Sequence, residues 1–163
     1  MVIILQIIWE SQEEDVVMVQ EEMTCPMAKG ERILVAVDGS EYCNSIVEQA
    51  ISMGRICNSV IFAISVVEMF PETIELAPAA EKEARETLEK VKSRIEEEDI
   101  VCETIIGVDG KPHKPIVQEA KERGVDLIVM GTHGKTRLVN ALMGSVAQKV
   151  IGNAPCAVMV VPC

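Results

Sequence analysis

Five short apolar segments alternate with helix-like segments after residue 30, and this alternation constrains the fold more than any other feature. The segments are residues 33–37, 60–67, 101–106, 127–130 and 157–161, and each is largely apolar apart from Glu103 and Thr104 in the third. Runs of Val, Ile and Leu of this length are typical of strands that are buried on both faces. The alternation therefore predicts an α/β fold, a doubly wound parallel sheet with right-handed crossovers and helices on both faces.

Two of the connecting segments carry clear helix signals. Ser40 is the predicted N-cap of a helix that reaches about residue 54. Residues 79–98 are amphipathic, with apolar side chains at steps of four, three and four residues. The segments at 69–78 and 131–143 are expected to be loops.

The charge balance excludes some partners. The net charge is −11, and so acidic a surface repels phosphate backbones, which argues against nucleic-acid binding. No apolar stretch reaches the roughly 20 residues that span a bilayer. Residues 2–9 are apolar but short, and acidic residues follow them, so they do not resemble a signal peptide. No membrane partner is predicted, and a cytoplasmic location is expected.

The cysteines show no metal-ligand spacing. There are six of them and no CxxC pair, and His113 and His133 stand apart from them in sequence. A zinc site is therefore not predicted. We expect these cysteines to be small apolar residues, reduced in a reducing compartment.

Residues 1–30 differ in composition from the remainder and are treated as an N-terminal arm that precedes a domain at 31–163. Residues 2–8 are a strand-like mixture of Val, Ile, Leu and Gln. We expect this segment to add a strand to the sheet edge or to a partner subunit. The alternative is a disordered arm or a start assigned too early.

The residues that could bind a ligand follow the first and fourth strands. Asp38 comes directly after the first strand, and Gly131 and Gly134 follow the fourth. Ligands of doubly wound sheets bind outside the carboxyl ends of the strands. The pattern Gly131-x2-Gly134-x9-Gly144-Ser145 places glycines where backbone can approach a ligand. It also opens the last helix, whose free N–H groups favour an anion.

Other phosphate motifs are excluded by spacing. The stretch Gly134-Lys135-Thr136 resembles the end of a P-loop, but the leading glycine would fall at Val129. No GxGxxG occurs. By themselves the glycines could equally serve only to turn the chain.

At this point the chain resembles the ATP-binding branch of the universal stress protein family. The resemblance covers about 31–163 and includes the residues at 35–40, 124–131 and 154–162 besides the glycine pattern. It implies an adenine-nucleotide alpha-hydrolase-like, Rossmann-like sheet of order 3-2-1-4-5. It also implies ATP as ligand, alone or with Mg²⁺ or Mn²⁺, and a homodimer formed through the C-terminal strand.

The resemblance further implies a role for each matching residue. The base and ribose end would be formed by Asp38, Val66, Met130 and Gly131. The phosphates would be held by Gly134, Gly144, Ser145 and Val146. Asp38 could instead be only a turn residue, and Val66 and Met130 only core. The family often has a histidine where this chain has Ser65, so that position is assigned no role.

These residues favour a nucleotide-binding regulatory module that acts in the stress response and signals to a protein partner. No catalytic residue is assigned, because no acid–base pair or nucleophile triad stands near the loop. A slow ATPase or an autophosphorylating protein is one alternative, with His133 and Lys135 as the visible candidates. A structural dimer that binds no nucleotide is the other.

Overall fold

The computed structural model describes the two strands of the arm and most of the domain. The described residues are 3–6, 19–22, 25–26, 30–40, 43–69, 77–134 and 143–162. The arm contributes β1 (Ile3–Gln6) and β2 (Val19–Glu22). The strands of the domain are β3 (Arg32–Ala36), β4 (Val60–Val67), β5 (Cys102–Val108), β6 (Leu127–Gly131) and β7 (Ala157–Val161).

The five strands of the domain form one parallel sheet in the order β5-β4-β3-β6-β7. Counted from the first strand of the domain, this is the predicted order 3-2-1-4-5, with β3 in the centre. The prediction of a doubly wound α/β fold is confirmed. The order reverses between β3 and β6, so the switch point of the sheet lies between the ends of these two strands.

Four helices cover the two faces of the sheet. They are α1 (Cys43–Cys57), α2 (Ala77–Glu96), α3 (His113–Glu122) and α4 (Ser145–Asn153). One buried cluster joins α1 and α2 to the sheet, and a second cluster joins α3 and α4 to the opposite face. Alternate residues of each strand enter the two clusters, which explains why the strands read as continuous apolar runs.

Several element boundaries differ from the predicted ones. Among the described residues helix α1 begins at Cys43, and the buried Ser40 hydroxyl has no hydrogen-bond partner there, so the predicted side-chain cap by Ser40 is not formed. The main chain makes the connection instead, because the Cys43 N–H donates to the Ser40 carbonyl at 3.1 Å. Helix α2 begins at Ala77, inside the predicted loop, and β5 continues to Val108.

The strand predicted in the arm is present, but its pairing differs from the prediction. β1 pairs with β2 in an antiparallel two-stranded sheet, with Ile3 opposite Glu22 and Gln6 opposite Val19. Among the described residues β1 does not join the five-stranded sheet. The sheet-edge form of the prediction is therefore wrong, because β1 finds its partner strand within the arm itself. Pairing with another subunit stays a prediction.

A disulfide connects the segment before the domain to the end of α1. It joins Cys25 to Cys57, whose Cα atoms are 4.7 Å apart. Gly30 packs against both cysteines with φ of +61°, and a Cβ at this position would collide with the sulfur of Cys25. The buried Ser59 hydroxyl donates to the Gly30 carbonyl. The expectation that all six cysteines are reduced is wrong for this pair.

In the described part of the chain, no helix combines the length and the apolar character that a membrane crossing requires.

Candidate functional site

A cavity of about 620 Å³ opens at the carboxyl edge of the sheet. It extends across the ends of β4, β3 and β6 and reaches the start of α4, so it includes the switch point. Its volume is within the range of small-molecule sites. All eight residues that the resemblance assigned to the ligand line it: Asp38, Val66, Met130, Gly131, Gly134, Gly144, Ser145 and Val146.

Asp38 is held in place by its own turn. One carboxylate oxygen accepts a hydrogen bond from the Ser40 N–H at 3.0 Å and a longer one from the Cys43 thiol at 3.7 Å. Gly39 between them has φ of +76°, a conformation that glycine adopts without strain. Burial, together with the negative charge of Asp38, raises the pKa of the Cys43 thiol. The thiol is therefore neutral at pH 7 and can act as a donor to the carboxylate.

The second carboxylate oxygen of Asp38 faces Gly134. A Cβ built on Gly134 would lie 2.5 Å from this oxygen, which is closer than any ordinary contact. The absent side chain therefore lets the loop after β6 approach the turn after β3. Sequence spacing predicted that glycine is needed at 134, and the structure identifies the neighbour that requires it.

Backbone hydrogen bonds attach the end of β6 to the start of α4. The Thr132 N–H donates to the Val161 carbonyl at 2.9 Å, and the Thr132 carbonyl accepts from the Gly144 N–H at 2.7 Å. A Cβ on Gly144 would lie 3.1 Å from the same carbonyl. The sequence analysis assigned Thr132 no positioning role, and only its place inside the glycine pattern could have indicated one.

The start of α4 offers free backbone donors to the cavity. Gly144 is the N-cap, in extended conformation, and no side chain caps the helix. Because the Gly144 N–H is already bonded, the donors available in the first turn are those of Ser145, Val146 and Ala147. No acidic side chain stands in this turn. Its N–H groups and the helix dipole therefore favour an anion here.

The remaining assigned residues lie between these two features. Met130 is buried in the cluster beneath α3 and α4, and Val66 packs half-buried against the same cluster. Gly131, at the end of β6, is buried as well. Met130 and Val66 both line the cavity, so each belongs to the hydrophobic core and to the candidate site.

The charged groups among the described lining residues are mostly acidic. Asp38, Glu68 and Glu83 contribute carboxylates, and none of the described lining residues is Lys or Arg. His133 also lines the cavity, and its Nδ1 lies 3.2 Å from the Thr132 hydroxyl. Lys135, the other candidate of the enzymatic alternative, falls outside the described residues. Across the described chain, no three metal-ligating side chains are close enough to hold an ion.

The sequence model of the universal stress protein family matches residues 30–162. The chain belongs to this family. A universal stress protein of Methanocaldococcus jannaschii is 37% identical over 138 residues, covering 80% of this chain and 81% of the relative.

Solved universal stress proteins share the fold. The structure of UspA from Lactobacillus plantarum superposes with a TM-score of 0.74 at 26% identity, covering 82% of this chain and 99% of that protein. A universal stress protein of Archaeoglobus fulgidus in complex with dAMP superposes with a TM-score of 0.64 at 27% identity, covering 80% and 96%.

Proposed function

We propose that this universal stress protein is a nucleotide-binding regulatory module, with ATP as its ligand and a homodimer as its working form in the stress response. The observation that carries the proposal is the cavity at the switch point, which is lined by the start of α4, where no side chain caps the helix, and by the Asp38 carboxylate that its own turn holds. The dAMP complex of the Archaeoglobus fulgidus relative supports an adenine nucleotide as the ligand class.

The phosphates would bind at the start of α4. The N–H groups of Ser145, Val146 and Ala147 supply donors there without a charged side chain. The Ser145 side chain is exposed, so its hydroxyl can add one more hydrogen bond. Gly134 and Gly144 let the loop after β6 pack closely against Asp38 and the start of α4, which would bring their main chain near the phosphates.

The base and ribose would occupy the part of the cavity over β3 and β4. Asp38 can accept hydrogen bonds from ribose hydroxyls through the oxygen that faces Gly134. Val66 and Met130 offer apolar surface to the base. This arrangement uses seven of the eight assigned residues, and Gly131 lies between the two parts at the end of β6.

A divalent cation fits the charge of the site. ATP would bring several negative charges into a cavity whose described lining includes three carboxylates and no Lys or Arg. Mg²⁺ and Mn²⁺ bind through the phosphates of a nucleotide and need few protein ligands. The lack of a preformed three-ligand cluster in the described residues is consistent with a cation that arrives with its nucleotide. Such an ion would offset the repulsion between phosphates and carboxylates.

The dimer would form through β7. This strand lies at one edge of the sheet, beside β6 alone. Three of its five residues, Val158, Met159 and Val160, are half-buried in the single chain. An edge strand tends to pair with another strand, and antiparallel pairing across a two-fold axis would close the assembly.

Isothermal titration calorimetry with ATP, with and without Mg²⁺, tests the nucleotide assignment. The native protein should bind, and Gly144→Val should bind far more weakly, because its side chain would meet the Thr132 carbonyl at the start of α4. Ser145→Ala should lose on the order of 1 kcal/mol or somewhat more, as expected for one hydrogen bond to a charged acceptor. Circular dichroism would verify that each variant folds.

Gly152→Ala is the matched control. Gly152 lies near the end of the same helix, and a Cβ there meets nothing within 4 Å, so this variant should bind ATP as the native protein does. Unchanged affinity in Gly144→Val would remove the helix start from the phosphate site. Release of phosphate from ATP that is sensitive to these mutations would favour the enzymatic alternative instead.

A further inference from the structure

The cavity extends beyond the residues assigned so far, towards α2. We call this part the α2 lobe; it is lined by Ser65 and Val67 of β4 and by Ala84 and Thr87 of α2, with Glu83 at its rim. It lies on the face of the sheet that α1 and α2 cover, whereas Val66 faces the opposite side. None of its members belongs to the glycine pattern.

Ser65 is the polar residue at the bottom of the α2 lobe. Its exposed fraction is 4%, and it is the one polar residue in the otherwise apolar strand β4. Alternation along the strand directs it to the same face as Ile61 and Ala63, which are buried beneath α1 and α2. Nevertheless it lines the cavity.

The Ser65 hydroxyl makes no hydrogen bond with any described residue, although most buried hydroxyls are satisfied by the protein or by water. Its nearest surroundings in the lobe include the apolar side chains of Val67 and Ala84. A ligand group that donates a hydrogen bond to this hydroxyl would gain affinity and selectivity at this position.

The position of the lobe indicates which part of a nucleotide reaches it. The proposed phosphate site at the start of α4 lies beyond β6, and the α2 lobe lies beyond β3 at the end of β4. A nucleotide with its phosphates on α4 and its ribose at Asp38 would direct its base towards β4. Carboxylates at this end, from Glu68 and Glu83, make the surroundings electronegative and favour a group that donates hydrogen bonds.

We propose that the α2 lobe is the specificity subsite of this protein, in which the Ser65 hydroxyl accepts a hydrogen bond from the 6-amino group of adenine. The assignment rests on the proposed function, since it needs a nucleotide bound at α4. In this assignment Ser65 recognises the base through a side-chain hydrogen bond. The glycine pattern and the assigned contact of Val66 do not include such a bond.

The test compares two ligands that differ only in this group. AMP and purine riboside 5′-monophosphate, in which hydrogen replaces the 6-amino group, are titrated calorimetrically against the native protein and against Ser65→Ala. The native protein should prefer AMP by about threefold to tenfold, the effect of one neutral hydrogen bond. Ser65→Ala should lose this preference by weakening AMP binding alone.

Ser59→Ala is the matched control, because Ser59 is also a buried serine but bonds to the Gly30 carbonyl, away from the cavity. It should keep the preference for AMP even if its melting temperature falls. Equal binding of both ligands by the native protein, or equal weakening of both in Ser65→Ala, would overturn the assignment of Ser65. Binding of neither ligand by the native protein would instead overturn the proposed function itself.

Discussion

The close approach of Gly134 to Asp38 leads to a prediction that two substitutions will be coupled. A Cβ at residue 134 would lie 2.5 Å from one carboxylate oxygen of Asp38 and 3.6 Å from its Cγ, and it would meet no other described residue within 4 Å apart from the adjoining ones. Gly134→Ala must therefore displace the carboxylate, which the Ser40 N–H and the Cys43 thiol hold from its other side. The proposed ribose contact would be lost with it.

The size of the effect follows from the bond that is lost. A hydrogen bond to a charged group contributes about 1.5–3 kcal/mol, and about 1.4 kcal/mol corresponds to a tenfold change in affinity. Gly134→Ala should therefore weaken ATP binding roughly tenfold to a hundredfold. In an Asp38→Ala background the same substitution should cost little, because the atoms that a Cβ would meet are absent.

Calorimetric titration of the native protein, the two single variants and the double variant closes a double-mutant cycle. The coupling free energy should be close to the whole effect of Gly134→Ala. Additive losses would refute the collision as the cause, and unchanged affinity in the Gly134→Ala single variant would remove this contact from the binding site. Thermal unfolding would show whether each variant keeps its fold.

Three further predictions concern the disulfide, the sheet edge and a buried thiol. Reduction with dithiothreitol should lower the free energy of unfolding by about 3–4 kcal/mol, the loop-entropy effect of a disulfide whose cysteines, Cys25 and Cys57, are 32 residues apart. A Cys57→Ser variant should show no change on reduction. An equal change in both proteins would contradict the presence of the disulfide. Sedimentation at micromolar concentration should show a dimer, and a monomer alone would refute pairing through β7. Burial raises the pKa of Cys102 from 9.0 to about 11. Between these pH values the unfolded state loses the thiol proton and the folded state keeps it. The contribution of the buried thiol to stability is therefore complete below pH 9 and is lost as the pH rises towards 11. Over this pH range, the free energy of unfolding measured with urea should fall by about 2–3 kcal/mol more in the native protein than in Cys102→Ala. Equal falls in both proteins would contradict this prediction.

The sheet could be predicted from the sequence because most strands that are buried on both faces consist of runs of Val, Ile and Leu bounded by turn residues. The strand at 157–161 matches β7 residue for residue. Gly124 follows the C-cap of α3 with φ of +59°, a conformation that glycine adopts without strain. The predicted side-chain cap of α1 is not formed because Ser40, a good N-cap by type, lies in a turn that is organised by the Asp38 carboxylate instead.

The glycine pattern likewise pointed to residues that line the cavity, because a backbone approach that excludes a side chain restricts the residue type. The pattern could not indicate which residue packs against each glycine in the folded protein. Gly134 is required by Asp38, and Gly144 by the carbonyl of Thr132. These partners are distant or unremarkable in sequence, so only the tertiary structure identifies them.

The sequence by itself determined the α/β class and, through its family resemblance, the strand order and eight of the residues that line the cavity. The tertiary structure alone decided how the parts meet. It paired Cys25 with Cys57, gave β1 a partner strand within the arm, and placed Ser65 in the lining of the cavity. The physical reason is that periodicity and residue type record whether a position is buried or turns the chain. Contacts between distant residues depend instead on how strands and helices pack, which no local pattern records.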